Sequence, residues 1–469
     1  MTTILQQPLK DIAAALASGQ AGARALLSAA QDCHRRRTAV LGAYMAWHDE
    51  MIQHQAGAAD LVLATGGSLG PLQGIPVSVK DHFGVKGFPT YAGTRQQLPA
   101  AWEREGPVVS GLRRQLAVLV GKTVAVELAF GGIGLNHYWG SPRNPWDGDD
   151  YRVSGGSSSG AGVSLWEGSA LLALGTDTGG SVRIPASMTG TVGLKTTFGR
   201  WSLEGIVPLS TTLDTPGILT RSVADAVFAF AAMDPAWGEP AALERQLAGL
   251  TLNAVRIGTG EPSLWSDCDP GIVETVDEAL QSAVRAGARR CEHALPEAAD
   301  AIHLLRSGSV VSAECDAFLE AELPAWRAAL DPIVTARISD GGAIPVREYL
   351  LRRTRIQRLQ RAARERFQAV TVVAAPSVPI TPPRLAEVER LEDYRRLNML
   401  SLRNTCVANF LGLCALTLPV GLDRAGMPVG LMLMAPGGAE ETLLGVGLLL
   451  ERELGTARER LGIPPLCRD

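Results

Sequence analysis

Long apolar runs are missing. No stretch of the 469-residue chain approaches the roughly 18–20 uncharged residues that a membrane helix needs, so no spanning helix is expected. Cysteine is sparse and unpatterned: the seven residues, at 33, 268, 291, 315, 406, 414 and 467, form no CxxC pair and no metal-ligand spacing. That argues against a disulfide framework or a thiolate metal centre and fits free thiols in a reducing cytoplasm. The opening segment MTTILQQPLKDIAAAL lacks the charged start, apolar stretch and small-residue cleavage site of a secretory signal. Charge of one sign is not in excess either. The 44 basic and 48 acidic residues leave a net charge of -4, too little positive field to hold a phosphate backbone. Neither nucleic acid nor a membrane is therefore expected as a partner. Lysine is scarcest among the charges: Lys10, Lys80, Lys86, Lys122 and Lys195 are the only lysines, and arginine supplies the remaining basic side chains. Each lysine in such a chain invites the question of what a permanent arginine cation could not do there.

Core-forming material is abundant, with 46% hydrophobic and 20% charged residues. Residues 8–62 read as helical, with Leu9, Ile12 and Leu16 on one face and a break at Gly19–Gly22. Short apolar runs bounded by Gly and Pro then alternate with helical stretches: GIPVSVKD, LAVLVGKT, LLALGTD and GTVGLK. This alternation predicts βα units around a buried, parallel or mixed sheet. From about 230 to 370 the texture turns to amphipathic Ala/Arg/Glu/Leu helices, after which TVVAAPSVPI (371–380) and ALTLPVGL (415–422) return the chain to the sheet. The reading is one large α/β domain over 1–469, a central mixed sheet flanked by helices. It has a helical N-terminal segment (1–70), a core (71–226), a mainly helical insertion (230–370) and a C-terminal return (371–469).

Chemistry concentrates in 154–183, SGGSSSGAGVSLWEGSALLALGTDTGGSVR, where two Gly/Ser loops (155–162 and 175–181) flank a helix-length segment. Such turns let the backbone approach another group closely and aim N–H groups into one concavity suited to an anion. A flexible loop accounts for a Gly/Ser cluster equally simply. A phosphate loop does not fit, because neither GxxxxGK[ST] nor GxGxxG with a downstream acid is present. Serine hydroxyls need a base. His82 and His137 are the histidine candidates, but there is no GxSxG elbow and only Asp81 stands ready to orient either ring. An amine is the other option. Lys80 closes the run GIPVSV, a strand that would carry it inside, where desolvation lowers a lysine towards neutrality.

The run from Gly74 to Asp225 closely resembles the amidase signature family of Ser-Ser-Lys hydrolases. The matching pieces are GIPVSVKD (74–81), GKTVAVELAFG (121–131), NPWD (144–147), GGSSSG (155–160), GTDTGGSVRIPASMTGTVGLKTTFGR (175–200) and LDTPGILTRSVADA (213–226). APSVPITPP (375–383), NTCVANFLGLCALTLPVG (404–421) and GMPVGLMLMAP (426–436) resemble the family too, so only about 230–370 falls outside. The resemblance implies the amidase signature fold, with Ser181 as nucleophile, Ser157 as bridging proton relay and Lys80 as general base. It also implies a non-proline cis peptide at Gly156–Ser157 and an oxyanion hole from the backbone N–H groups of Thr178, Gly179, Gly180 and Ser181. Asp177 and Arg183 flank that loop and read first as charges that hold it. No metal or organic cofactor is implied.

Three activities fit such a chain. The first is a free-standing amidase that releases an acid and ammonia or an amine from a small-molecule amide. The second is the ammonia-generating chain of a glutamyl-tRNA amidotransferase, its A subunit, which passes ammonia to a partner. There the stretch after the central motif usually reads close to VAFASSLDQIGP, whereas this chain has VPLSTTLDTPGI (207–218), which favours the first. The third, a silent binding protein, sits poorly with an intact Lys80, Ser157 and Ser181. Tyr138, Trp139 and Trp201 are near the motifs and are more simply core aromatics than pocket walls. The segment AECDAFLEAELPAWRAAL (313–330) resembles a helical wall over a site, though a solvated helix explains it as well. A homodimer stays open through the Leu9/Ile12/Leu16 face, which could equally pack on its own core.

Overall fold

The computed structural model describes residues 4–307, 310–342 and 344–468. Its strands are β1 (Tyr44–Trp47), β2 (Pro76–Lys80), β3 (Val118–Thr123), β4 (Leu172–Asp177), β5 (Val192–Lys195) and β6 (Thr215–Thr220). Then come β7 (Arg256–Thr259), β8 (Arg289–Glu292), β9 (Val372–Pro376), β10 (Cys414–Leu422) and β11 (Pro428–Ala435). Among the described residues these eleven strands form one mixed sheet in the order β1-β3-β2-β4-β6-β5-β10-β11-β9-β7-β8. β2 runs parallel to both β3 and β4, and β7 runs parallel to β8 and β9, while the β4-β6-β5-β10-β11-β9 stretch is antiparallel throughout.

Both faces of the sheet are covered, which is why the strands read as continuous apolar runs and not as alternations. The pleat sends Leu416, Leu418, Leu431 and Leu433 into one core, beneath the helices Ile272–Arg285 and Glu440–Leu454. It sends Ala415, Met432 and Met434 into a second core, beneath helices drawn from 297–367. The N-terminal helix Leu9–Ala17 buries Leu9, Ile12 and Leu16 in the first core. That face is consumed within the chain, so it is not available to a twofold partner.

Two parts of the sequence reading change. The stretch read as helical over 8–62 contains β1. Gly42, in the left-handed region at φ 59, ends the helix Ala23–Leu41, and the chain then pairs antiparallel with β3 before the helix Asp49–Ala64. The region 230–370, although rich in helix, also supplies β7 and β8, which extend the sheet at its far edge. β8 is the edge strand and is exposed along its length. Its sequence RRCE is too polar to be legible as a strand, and its charges suit an unpaired edge. The 313–330 stretch divides: the helix Val310–Glu322 gives way to a short 3-10 turn starting at Pro324, whose ring cannot continue an α-helix. No helix among the described residues is long and apolar enough to cross a membrane.

Candidate active site

The parallel strands β2 and β4 end side by side, with Val79 opposite Leu174. Outside such carboxyl ends, α/β sheets bind their ligands. β2 is buried along its length and delivers Lys80, its last residue, into the interior at 0% exposure. There Lys80 Nζ donates to Ser157 Oγ at 2.7 Å and to Thr176 Oγ1 at 2.7 Å. Burial lowers the amine from 10.5 to about 7, with Asp214, Asp177 and Asp81 pulling the other way. At neutral pH a substantial fraction of Lys80 is therefore the free amine, able to accept a proton from a hydroxyl that it touches.

Ser157 lies in the Gly/Ser loop just before the helix Ser159–Glu167, and the Gly156–Ser157 bond is cis. Its carbonyl accepts from Val126 N–H at 3.0 Å. The glycines are needed for space: a Cβ at Gly156 would come within 2.7 Å of Gly134 N, and one at Gly160 within 2.1 Å of Ala43 O. The next residue, Ser158, donates its N–H to Ser181 O at 3.2 Å, tying this loop to the one that follows β4. Among the described residues Ser157 Oγ and Ser181 Oγ make no direct hydrogen bond, so the link between the two loops runs through the backbone.

The loop after β4 is built around Asp177, which is held down to about 2, burial notwithstanding, by the guanidinium of Arg183. Arg183 reaches both carboxylate oxygens, at 2.9 and 3.1 Å, and spends its remaining donors on Thr405 O and Asn409 Oδ1. Asp177 also accepts from Gly180 N–H (2.9 Å), Val182 N–H (3.1 Å) and Asn409 Nδ2 (2.8 Å). Both side chains of this pair are fully buried, and every strong donor is satisfied, so the pair curls the loop and pins it to the 404–410 segment. Gly180 has φ +135, and a Cβ there would lie 2.1 Å from Thr405 Oγ1; only glycine fits. Gly180 N–H is thus engaged by Asp177 within the loop.

Asp214 braces the loop from the other side. It accepts from Thr178 Oγ1 at 2.5 Å and from the N–H groups of Leu209 and Ser210 at 2.8 and 2.9 Å. Burial raises its carboxyl to about 6. Thr176 and Asp214 were missed in the sequence reading. Thr176 sits in GTDTGGS and its side chain returns to Lys80, a strand-neighbour relation that only the β2–β4 register reveals.

Ser181, Thr178 and Gly179 open onto a cavity of about 140 Å³, walled by Phe130, Leu209, Met399, Leu402 and Phe410 and carrying Arg306 and Arg337. A larger cavity, about 390 Å³ around Arg36 and Trp166, shares no residue with it. His82 and His137 are not part of the Ser181 cavity. His82 is buried, and among the described residues neither ring nitrogen has a hydrogen-bond partner. His137 does have a carboxylate partner, Asp331 at 2.5 Å, supplied from 194 residues away, but both belong to a separate small cavity with Glu127 and Tyr138. Trp201 is buried against Phe230 and donates to Asp234. Trp139 donates to Thr94 O and packs on Tyr91, so neither tryptophan lines the Ser181 cavity.

A semi-neutral amine touching a serine hydroxyl, beside a second serine in a loop of free amides, is the equipment of a serine hydrolase that works without histidine. Comparison with known proteins gives the class. The Amidase family model matches residues 25–444, and the chain belongs to that family: it is a hydrolase acting on non-peptide C–N bonds. It is 47% identical to a 2-amino-5-chloromuconic acid deaminase of Comamonas testosteroni, with 98% of each chain covered. It is 32% identical to the A subunit of the glutamyl-tRNA(Gln) amidotransferase of Thermobifida fusca, with 97% of each covered. A crystal structure of an amidase superposes with a TM-score of 0.84 at 31% identity, covering 96% of this chain and all of that one.

Proposed function

We propose that the chain hydrolyses a small-molecule amide with Ser181 as nucleophile, Ser157 as proton relay and Lys80 as general base. The observation that carries this reading is Lys80 Nζ, buried, lowered to about 7 and 2.7 Å from Ser157 Oγ. The neutral amine takes the Ser157 proton as Ser157 takes that of Ser181, and Ser181 Oγ attacks the carbonyl carbon. Charge developing on the carbonyl oxygen is met by the N–H groups of Thr178, Gly179 and Ser181. The C–N bond then breaks as the proton returns through Ser157 to the leaving nitrogen. Water repeats the sequence on the acyl-enzyme and frees the acid. Thr176 orients the amine, and the Asp177–Arg183 pair and Asp214 hold the loop.

A second reading is favoured by the 47% identity to a deaminase across the length of both chains. An amine on the unsaturated carbon of a muconic acid is an enamine. Its imine tautomer presents a trigonal carbon bearing nitrogen, and addition of water there releases ammonia and leaves a ketone. The same base, relay and cavity serve both reactions.

Ammonia release by the purified chain, assayed over aliphatic and aryl amides, 2-aminomuconic acid and glutamine, tests the proposal. Release from a small amide or the amino acid without tRNA or partner chains is expected. Release confined to glutamine, and only with partner chains present, would instead identify a component of an amidotransferase.

A further inference from the structure

The cavity at Ser181 is unusual in its charge. Its polar lining beyond the Ser181 loop consists of Ser312 and two arginines, Arg306 and Arg337, and no Asp or Glu is among its described lining residues. Arg306 closes the helix Glu297–Arg306 and is exposed, and among the described residues its guanidinium makes neither a hydrogen bond nor an ion pair. Arg337, from the helix Pro332–Gly342, is half-buried. One of its arms donates to Phe130 O at 2.7 Å, and its guanidinium lies 4.3 Å from the centre of the Phe130 ring. These contacts fix the position of Arg337 without neutralising it. In the neighbouring small cavity, Asp331 is engaged by His137.

Several half-buried arginines elsewhere meet carboxylates, while Arg143 and Arg460 spend their donors on backbone carbonyls. Arg200 meets Asp234, Glu440 and Glu441, Arg152 meets Asp147, and Arg113 meets Glu105. Two unneutralised guanidinium groups sharing one apolar-walled cavity repel each other, and the field they make attracts an anion into it. The planar fork of Arg matches a carboxylate by two parallel N–H···O bonds, an arrangement that a point charge on Lys would not give. The Ser181 loop and the two arginines line the same cavity.

From this arrangement we infer that Arg306 and Arg337 select substrates carrying a carboxylate remote from the scissile C–N bond, anchoring it while Ser181 faces the bond to be broken. The inference rests on the reading of Ser181 as nucleophile and sharpens it: the substrate is an acid with a hydrolysable nitrogen at its other end, such as the monoamide of a short dicarboxylic acid. The Phe130 ring, held under Arg337, and Met399 and Leu402 accommodate the short carbon chain between the two ends. A neutral amide of the same length would leave both guanidinium groups without a partner.

The test compares succinamate with butyramide, two amides of equal chain length that differ in the terminal carboxylate, in wild type, Arg306→Gln and Arg337→Lys. A wild-type kcat/KM favouring succinamate by at least tenfold is expected, with that preference falling about tenfold or more in each variant. Arg306 is exposed at a helix end, so its replacement does not endanger folding. Equal wild-type kcat/KM for the two amides, or a preference unchanged in both variants, would overturn the inference while leaving the hydrolase reading intact. Calorimetry of the Ser181→Ala protein with succinate supplies a readout that needs no turnover. Binding that is lost in Ser181→Ala/Arg306→Gln supports the anchor even if neither amide is cleaved, and absence of succinate binding to Ser181→Ala contradicts it.

Discussion

Replacing Lys80 with arginine keeps a cation at the end of β2 but removes the proton acceptor. In the wild type, an amine lowered to about 7 by burial is about one-tenth neutral at pH 6, half neutral at pH 7 and about nine-tenths neutral at pH 8. Protonated Lys80 cannot receive the Ser157 proton, so activity is lost on the acid side. The kcat/KM for ammonia release should rise about tenfold per pH unit up to about pH 7 and level off above about pH 8. A guanidinium at pH 8 is neutral in only about one molecule in 10⁴ to 10⁶. The loss in Lys80→Arg is then set by what the general base contributes, on the order of 10²–10⁴-fold, and is not recovered by raising the pH to 9. Circular dichroism and gel filtration establish that the variant folds. The assay is steady-state ammonia release from pH 5.5 to 9.5 at constant ionic strength. Turnover by folded Lys80→Arg within fivefold of wild type, or a wild-type profile flat between pH 6 and 8, would refute the reasoning.

Two further outcomes follow from the loop geometry. Asp214 is the strongest of the charges that hold the Lys80 amine up, so Asp214→Asn, whose amide oxygen can still accept from the Leu209 and Ser210 N–H groups while its NH2 donates to Thr178 Oγ1, should move the acid limb of the profile to lower pH; a rate loss with an unmoved limb would leave Asp214 a purely structural role. Gly180→Ala places a Cβ 2.1 Å from Thr405 Oγ1 at φ +135, costing about 2–5 kcal/mol through backbone strain and overpacking; a lowered urea midpoint together with lost activity is expected, and wild-type stability would contradict the packing.

The sequence exposed the parts of this site that are local. An apolar run ending in lysine was readable as a buried strand because β2 lies between two parallel neighbours and is covered on both faces. GTDTGGS was readable as a curled loop because Gly180 occupies a conformation with no room for a side chain. What stayed hidden depends on partners brought together by the fold. Asn409 and Thr405 reach the loop from more than 220 residues away, and Asp331 meets His137 across 194. The same applies to Gly180: nothing in the spelling of the loop reveals that its N–H is taken by Asp177 three residues earlier. β1 was lost inside a helical reading because YMAW is short and its strand character comes from pairing with β3. Arg306 and Arg337 lie in the stretch 230–370, where no motif was recognisable, among many arginines of ordinary surface helices. Their common cavity appears only when the helices are packed over the Ser181 loop.

The central claim is that Ser181 carries the acyl group. Incubating the purified chain with a serine-directed fluorophosphonate, followed by intact mass and peptide mapping, measures this directly. The account predicts one adduct per chain, on Ser181, absent from Ser181→Ala and formed far more slowly in Ser157→Ala and Lys80→Met. An adduct on Ser157 or another serine, or undiminished hydrolysis by a folded Ser181→Ala protein, would contradict it.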